Sequence, residues 1–262
     1  MKFRPCIDIH NGKVKQIVGG SLTDRQDYAK ENYISEESAA DFARRYQEDG
    51  LSGGHVILLN GADSPYYPET KRQALSALSA APGTLQVGGG INDENAGEFL
   101  NAGASHVIVT SFVFRDGKLY RDNLRRLKER IGRERLVLDL SCRKREDDYF
   151  IVTDRWQRFT EEKVTPGLIY ALADSCDEFL IHAVDVEGKQ NGVERELLQM
   201  LGTVSGVRMT YAGGIRSEED IRLLAELGKG RVDFTVGSAL DLFGGTLSYE
   251  RLAARYGTGR GV

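Results

Sequence analysis

The stretches QVGGGINDEN, residues 86–95, and YAGGIRSEED, residues 211–220, lie far apart in the chain and read almost alike. Each is a short apolar run, two or three glycines, an isoleucine, and then small and acidic residues suited to opening a helix. The chain around them alternates throughout. β-rich runs stand at residues 3–9 (FRPCIDI), 55–60 (HVILLN), 84–88 (TLQVG), 106–111 (HVIVTS), 135–141 (RLVLDLS), 178–186 (EFLIHAVDV), 207–214 (VRMTYAGG) and 232–238 (VDFTVGS). Helix-like stretches at 35–49, 69–79, 93–102, 119–131, 162–174, 193–201, 218–227 and 249–255 separate most of them. Several strand runs are almost continuously apolar, as parallel strands covered on both faces require. Eight alternations predict an α/β fold of the (β/α)₈ barrel type, and make an open doubly wound sheet the weaker alternative.

A barrel of this kind is one unit, so residues 1–262 are expected to form a single domain. The near-identity of the two glycine stretches extends to other positions. Asp8 ends the first strand and Asp139 the fifth, and VIVTSFVF after the fourth strand is echoed by FTVGSALDLF after the eighth. The matched positions lie about 125–130 residues apart, which predicts two half-barrel repeats near 1–131 and 132–262.

Composition narrows the function. A net charge of −4 argues against a dedicated nucleic-acid or membrane-surface binder. No apolar run approaches the ~18 residues of a membrane span, and MKFRPCIDIH does not read as a signal peptide. Cys6, Cys142 and Cys176 are odd in number and widely spaced, matching neither a disulfide framework nor a zinc pattern; a cytoplasmic setting is expected. RDNLRRLKERIGRER is basic but interrupted by Asp122, Glu129 and Glu134, as on a solvated helix face.

The glycines suggest the chemistry. At a strand end, a glycine lets backbone N–H groups face the cavity with no Cβ in the way, and a helix N-terminus close behind favours an anion. Barrels commonly build a phosphate site from the loops after strands seven and eight. Gly213, Gly214, Gly237 and Ser238 occupy those loops, and Gly89, Gly90, Thr110 and Ser111 repeat the design after strands three and four. Two such sites across one mouth predict a small-molecule substrate with a phosphate at each end. Asp8 and Asp139, on opposite strands between them, have apolar neighbours that raise a carboxyl pKa, so one is expected to act as base and the other as acid.

These residues carry a resemblance. CIDIHNGKVKQIVGG (6–20), LQVGGGIND (85–93), VIVTS (107–111), VLDLSCRK (137–144), WQ (156–157), FLIHAVDVEG (179–188), YAGGIRS (211–217) and GSALDLFGG (237–245) resemble the histidine-biosynthesis isomerase family. Its full name is phosphoribosylformimino-5-aminoimidazole carboxamide ribotide (ProFAR) isomerase. DLSCRK and HAVDVEG look most like its eukaryotic-type branch. The resemblance implies an Amadori rearrangement of a bisphosphorylated ribotide, with no metal, cofactor or obligate protein partner, and a monomer is expected. It implies that Asp8 is the general base and Asp139 the general acid, and that Trp156 stacks over the imidazole of the substrate.

Arg143, His182, Glu187 and His55 fall at further family positions on the substrate side. Arg143 follows Asp139 by a longer spacing than in much of the family. His182 and Glu187 replace the usual threonine and aspartate, and Leu58 stands where many relatives carry aspartate. Two other readings stay open. One is the sister cyclase that makes imidazole glycerol phosphate, against which RWQ and QIVGG speak. The other is a non-catalytic barrel that binds a bisphosphate, for which two facing carboxylates would have no use.

Overall fold

The computed structural model describes residues 1–18, 21, 29–189 and 191–257, so Gly19 and Gly20 of the first loop lie outside the described residues. Its centre is a ring of eight parallel strands. In chain order they are Cys6–His10, Gly54–Leu58, Leu85–Gly88, His106–Val109, Leu136–Asp139, Glu178–His182, Arg208–Ala212 and Val232–Phe234. Each hydrogen-bonds to the next in parallel. The ring closes at Phe3 and Phe234, where Arg4 N–H donates to the Phe234 carbonyl at 2.8 Å and Phe234 N–H to the Lys2 carbonyl at 3.0 Å. Among the described residues, eight α-helices accompany the ring: α1 (Ala39–Glu48), α2 (Tyr67–Ala80), α3 (Ala96–Asn101), α4 (Arg121–Ile131), α5 (Pro166–Leu172), α6 (Arg195–Leu201), α7 (Glu218–Leu227) and α8 (Tyr249–Tyr256). The fold is the (β/α)₈ barrel that the alternation predicts.

Strand periodicity sorts the side chains into layers. Residues two apart share a face, so one set on each strand points into the ring and the other out toward the helices. The outward set, including Ile7, Val56, Leu138, Phe179 and Phe234, joins the main core with Phe42, Leu78, Leu127 and Leu224 of the helices. Inside the ring, Ile57, Ile108, Val137, Leu180 and Ala212 form a separate apolar plug. Below it, Glu178 is buried and accepts from Gln86 Nε2 (3.1 Å) and Thr210 Oγ1 (2.6 Å), with Arg4 Nη1 at 3.1 Å. Above it, one step further along the same strands, stand Thr110, Asp139 and His182. The apolar layer thus separates a buried ionic floor from a polar mouth.

Local chemistry moves some boundaries from where the pattern puts them. α1 begins at Ala39 rather than residue 35, because Ser38 and Asp41 form a capping box. α5 begins at Pro166, not residue 162. Arg158–Lys163 is instead a strand, antiparallel to Asp148–Thr153, which in turn pairs with Cys142–Arg145. A second antiparallel addition, Lys13–Ile17 with Glu31–Ile34, extends from the first barrel strand. Both arise in loops on the C-terminal side of the ring, and both bring side chains to its mouth. Among the described residues, no helix is long and apolar enough to cross a membrane.

Candidate active site

At the C-terminal ends of the strands lies a cavity of two lobes. One, of about 840 Å³, is walled by Asp8, Gln16, His55, His182, Glu187, Gly213, Gly214, Gly237 and Ser238, among others. The other, of about 1160 Å³, reaches Gly89, Gly90, Thr110, Ser111 and Arg155. Ile57, Leu59, Asp139 and Trp156 line both. The elongated space therefore has one glycine loop pair at each end and the aspartates between.

Asp8 sits at the end of the first strand, where its carboxylate accepts from Gln16 Nε2 at 3.4 Å. Its pKa is raised from 3.8 to about 7, chiefly by burial and next by the charge of Glu187; His182 and Gln16 oppose the rise. A carboxyl poised near neutral pH is suited to taking and releasing a proton at ordinary pH.

Asp139 is held differently. Thr110 Oγ1 donates to its Oδ2 at 2.6 Å, and Ser141 Oγ lies 2.9 Å from both carboxylate oxygens. Burial raises its pKa, while the Thr110 hydroxyl, the His182 charge and Ser141 work to lower it.

Ser141 is a junction. Its Oγ also receives Trp156 Nε1–H at 3.2 Å and lies 3.3 Å from His182 Nδ1. A hydroxyl has one hydrogen and two lone pairs. With its hydrogen given to Asp139, Ser141 accepts from Trp156 and from His182 Nδ1–H. On the other side of that ring, His182 Nε2 meets Glu187 Oε2 at 3.2 Å. Burial works against the His182 imidazolium, but the hydrogen bond and charge of Glu187, then Asp139 and Asp8, lift its pKa above the ordinary value. Trp156 meets His182 edge to face, ring centroids 5.0 Å apart, and packs beside Ile17, Ala29 and Leu59.

The glycine loops match in backbone form. Gly89 and Gly90 have φ of 105° and 69°, Gly213 and Gly214 of 117° and 75°. A Cβ on Gly89 would fall 2.1 Å from the Leu58 carbonyl oxygen, and one on Gly213 2.6 Å from that of Ala183, so each first glycine lets its loop lie against the preceding strand. The second glycines differ. At Gly90 a Cβ would meet open space, whereas at Gly214 it would strike the Gly192 carbonyl oxygen at 2.1 Å. Among the described residues, no acceptor takes the N–H of Gly90, Ser111, Gly214 or Gly237.

Side chains order the turns that lead into the helices behind the loops. At α7, Asp220 Oδ2 already accepts from Arg216 N–H (3.0 Å) and Ser217 N–H (3.1 Å). Before α3, Asn92 Oδ1 takes Glu94 N–H (2.9 Å) and Asn95 N–H (3.1 Å). At α7 the Ser217 hydroxyl in turn accepts from Asp220 N–H at 3.2 Å, completing a capping box, whereas α3 has no side-chain cap.

The structure does not bring Arg143 to the cavity. Its Nε donates to Asp185 Oδ1 at 2.8 Å and its guanidinium lies over Phe159, a scaffold within the added sheet. His55 does line the wall, and burial pushes its pKa down to about 4, so it is neutral. The three cysteines are buried, and burial raises each thiol pKa, which suits packing residues. Sequence reading missed two groups that touch the aspartates. Ser141 lies two residues after Asp139, a spacing that puts both on one strand face. Gln16 belongs to a strand added to the barrel edge, which the eightfold pattern does not reveal.

A family model described as histidine biosynthesis protein matches residues 2–247. A Medicago truncatula protein is 51% identical, over 97% of this chain and 81% of its own length. Relatives from Neurospora crassa and Saccharomyces cerevisiae are 45% and 43% identical, each aligned over more than nine-tenths of both chains. All three are named as the phosphoribosyl imidazole-4-carboxamide isomerase, ProFAR isomerase in short, and the Medicago name adds that it is chloroplastic. The chain belongs to the histidine biosynthesis protein family, on the branch that holds the ProFAR isomerases of plants and fungi.

Proposed function

We propose that this protein isomerises ProFAR, an aminoaldose with a phosphate at each end, to the corresponding aminoketose by an Amadori rearrangement. The observation that carries the reading is one cavity with matched glycine loops at its two ends and two carboxyls, on opposite strands, between them. Loop amides at Gly90 and Ser111, and at Gly214 and Gly237, take the phosphates, with Gly89, Thr110, Gly213 and Ser238 completing the two sites. Asp139 protonates the furanose ring oxygen, and the C1′–O bond breaks to give an open-chain Schiff base. Asp8 then removes the C2′ proton, and the resulting enaminol collapses to the ketose. Trp156 covers the imidazole. His182 and Glu187 set the charge around both carboxyls, and His55 forms neutral wall. Arg143 holds the added sheet.

The two loops also support reading residues 1–262 as one barrel of two half-barrel repeats, since their paired φ values and close approaches match. We place the protein in the cytoplasm as a monomer acting without an obligate partner, a reading supported by three buried free thiols. Light scattering and fractionation test those points.

The activity is tested with purified protein and ProFAR in the absence of glutamine and ammonia, following absorbance. Isomerisation is expected. Product that forms only with ammonia would replace this reading with the cyclase, and binding without turnover with the non-catalytic barrel. Asp8→Asn and Asp139→Asn each keep size and polarity, and each is expected to lower kcat by roughly 10²–10⁴-fold with little change in affinity. A ring-opened substrate rescues Asp139→Asn in part and Asp8→Asn not at all. The opposite rescue would reverse the two roles.

A further inference from the structure

The proposed acid is bonded, in the structure, as an anion. Two hydroxyls point their hydrogens at Asp139, Thr110 at 2.6 Å and Ser141 at 2.9 Å, and hydrogen bonds of that polarity favour the ionised carboxylate. An acid needs the reverse polarity on at least one side. Ser141 is unable to supply it, because Trp156 N–H and His182 Nδ1–H occupy both its lone pairs and it is left only to donate. Thr110 has no such constraint. Its Oγ1 is engaged by Asp139 alone among the described residues, and it lies in the wall of the lobe that ends at Gly89, Gly90 and Ser111.

We propose that Thr110 is the positioning residue that arms Asp139: an anion at the Gly90 loop draws the Thr110 hydroxyl hydrogen away from the carboxylate, so that Asp139 takes up a proton only when that site is filled. The inference rests on the phosphate-site reading above. A hydroxyl has a single hydrogen and does not serve both a phosphate oxygen and Asp139. Turned to the anion, it withdraws one stabilising bond from the carboxylate and offers a lone pair instead. The proton comes from water in the open cavity, binds a carboxylate oxygen of Asp139, and is later passed to the ring oxygen of the substrate. The other groups facing Asp139 keep their places: the His182 charge from the sixth strand and the Cys142 thiol of the added sheet, with Arg155 in the wall of the same lobe. Without the anion the two hydroxyls thus oppose the protonation that burial favours, and one end of the substrate switches on chemistry at its centre.

The test titrates the Asp139 carboxyl by ¹³C NMR on the intact protein, its resonance identified by loss in Asp139→Asn, with and without saturating inorganic phosphate. Amide resonances of Gly90 and Ser111 report independently whether phosphate occupies the lobe. In the unaltered protein, phosphate is expected to raise the Asp139 midpoint by more than one pH unit. A phosphate dianion raises it somewhat by charge alone, so the decisive comparison is Thr110→Val, which removes the hydroxyl but keeps shape and the carbonyl that accepts from Val113 and Phe114. Its midpoint is expected to be about one pH unit high before phosphate is added and to move distinctly less on addition. Thr110→Ser is expected to restore the full movement. If the valine variant fails to fold, Thr110→Ala gives the same comparison. A carboxyl that moves as far in Thr110→Val as in the unaltered protein, or that does not move while the amides do, overturns the coupling and leaves the phosphate site standing. Amides that stay still at saturating phosphate overturn both.

Discussion

Burying the Asp8 carboxyl costs the fold more when the group is ionised than when it carries a proton. Its pKa of about 7 lies above the ordinary 3.8, so its contribution to stability is complete below about pH 4 and is lost as pH rises through 7. The difference between the two ends of that window is up to about 4 kcal/mol. Asp8→Asn is therefore expected to be more stable than the unaltered protein at pH 8, by an amount that shrinks toward pH 5. Urea unfolding at the two values measures it, and an equal gap at both would show that Asp8 does not titrate in this range. The same group shapes turnover. A base works ionised, so kcat/KM is expected to rise through about pH 7. The two second glycines give another contrast. Gly90→Ala places a methyl in open space at a left-handed residue, so phosphate affinity is expected to fall at least tenfold for about 1 kcal/mol of stability. Gly214→Ala drives a methyl into the Gly192 carbonyl and is expected to lower both affinity and the urea midpoint by more. Equal stability losses would remove the distinction.

Among the elements, the added hairpin after the fifth strand has the most to do with chemistry. Asp154, Arg155 and Trp156 turn its tip with φ of 52°, 56° and 66°, three successive left-handed residues of which none is glycine. The turn sets the indole between the two lobes, where its N–H holds Ser141 to its donor role. Trp156→Phe keeps a ring and loses that N–H. It is expected to lower kcat several-fold with KM little changed, whereas Trp156→Ala raises KM as well; steady-state kinetics separate the two. This hairpin also shows where sequence stops being legible. Barrel strands announce themselves because both faces are buried and the runs are apolar. RFTEEK, residues 158–163, is half exposed and charged, so its last two residues read as the start of a helix until its partner Asp148–Thr153 is known. For the same reason Asp8, Asp139 and the glycines stand out at strand ends, while Ser141 and Gln16 pass unnoticed: their meaning lies in what they touch. Arg143 shows the converse, a charged residue near the acid in sequence whose nearest carboxylate turns it outward.

At the scale of the whole molecule, the mouth and the floor of the barrel are insulated from each other by the apolar plug. Arg4 neutralises Glu178 on the floor and also reaches Asp233 at 2.7 Å. Arg4→Met strands a buried carboxylate and is expected to cost about 3–5 kcal/mol in urea unfolding. The fraction that stays folded is expected to keep its kcat, and a large loss of kcat would show that floor and mouth are coupled. The closure at Phe3 and Phe234 carries a consequence of another kind. A ribosome releases the first strand early and its final neighbour last. At 5–20 residues per second, roughly 10–50 s pass between them. For that interval one edge of Cys6–His10 has no strand to pair with, and such edges recruit other chains. Slow stretches of translation are therefore hazardous late in this message, and a nascent chain stalled before residue 232 is expected to be held by chaperones or to aggregate.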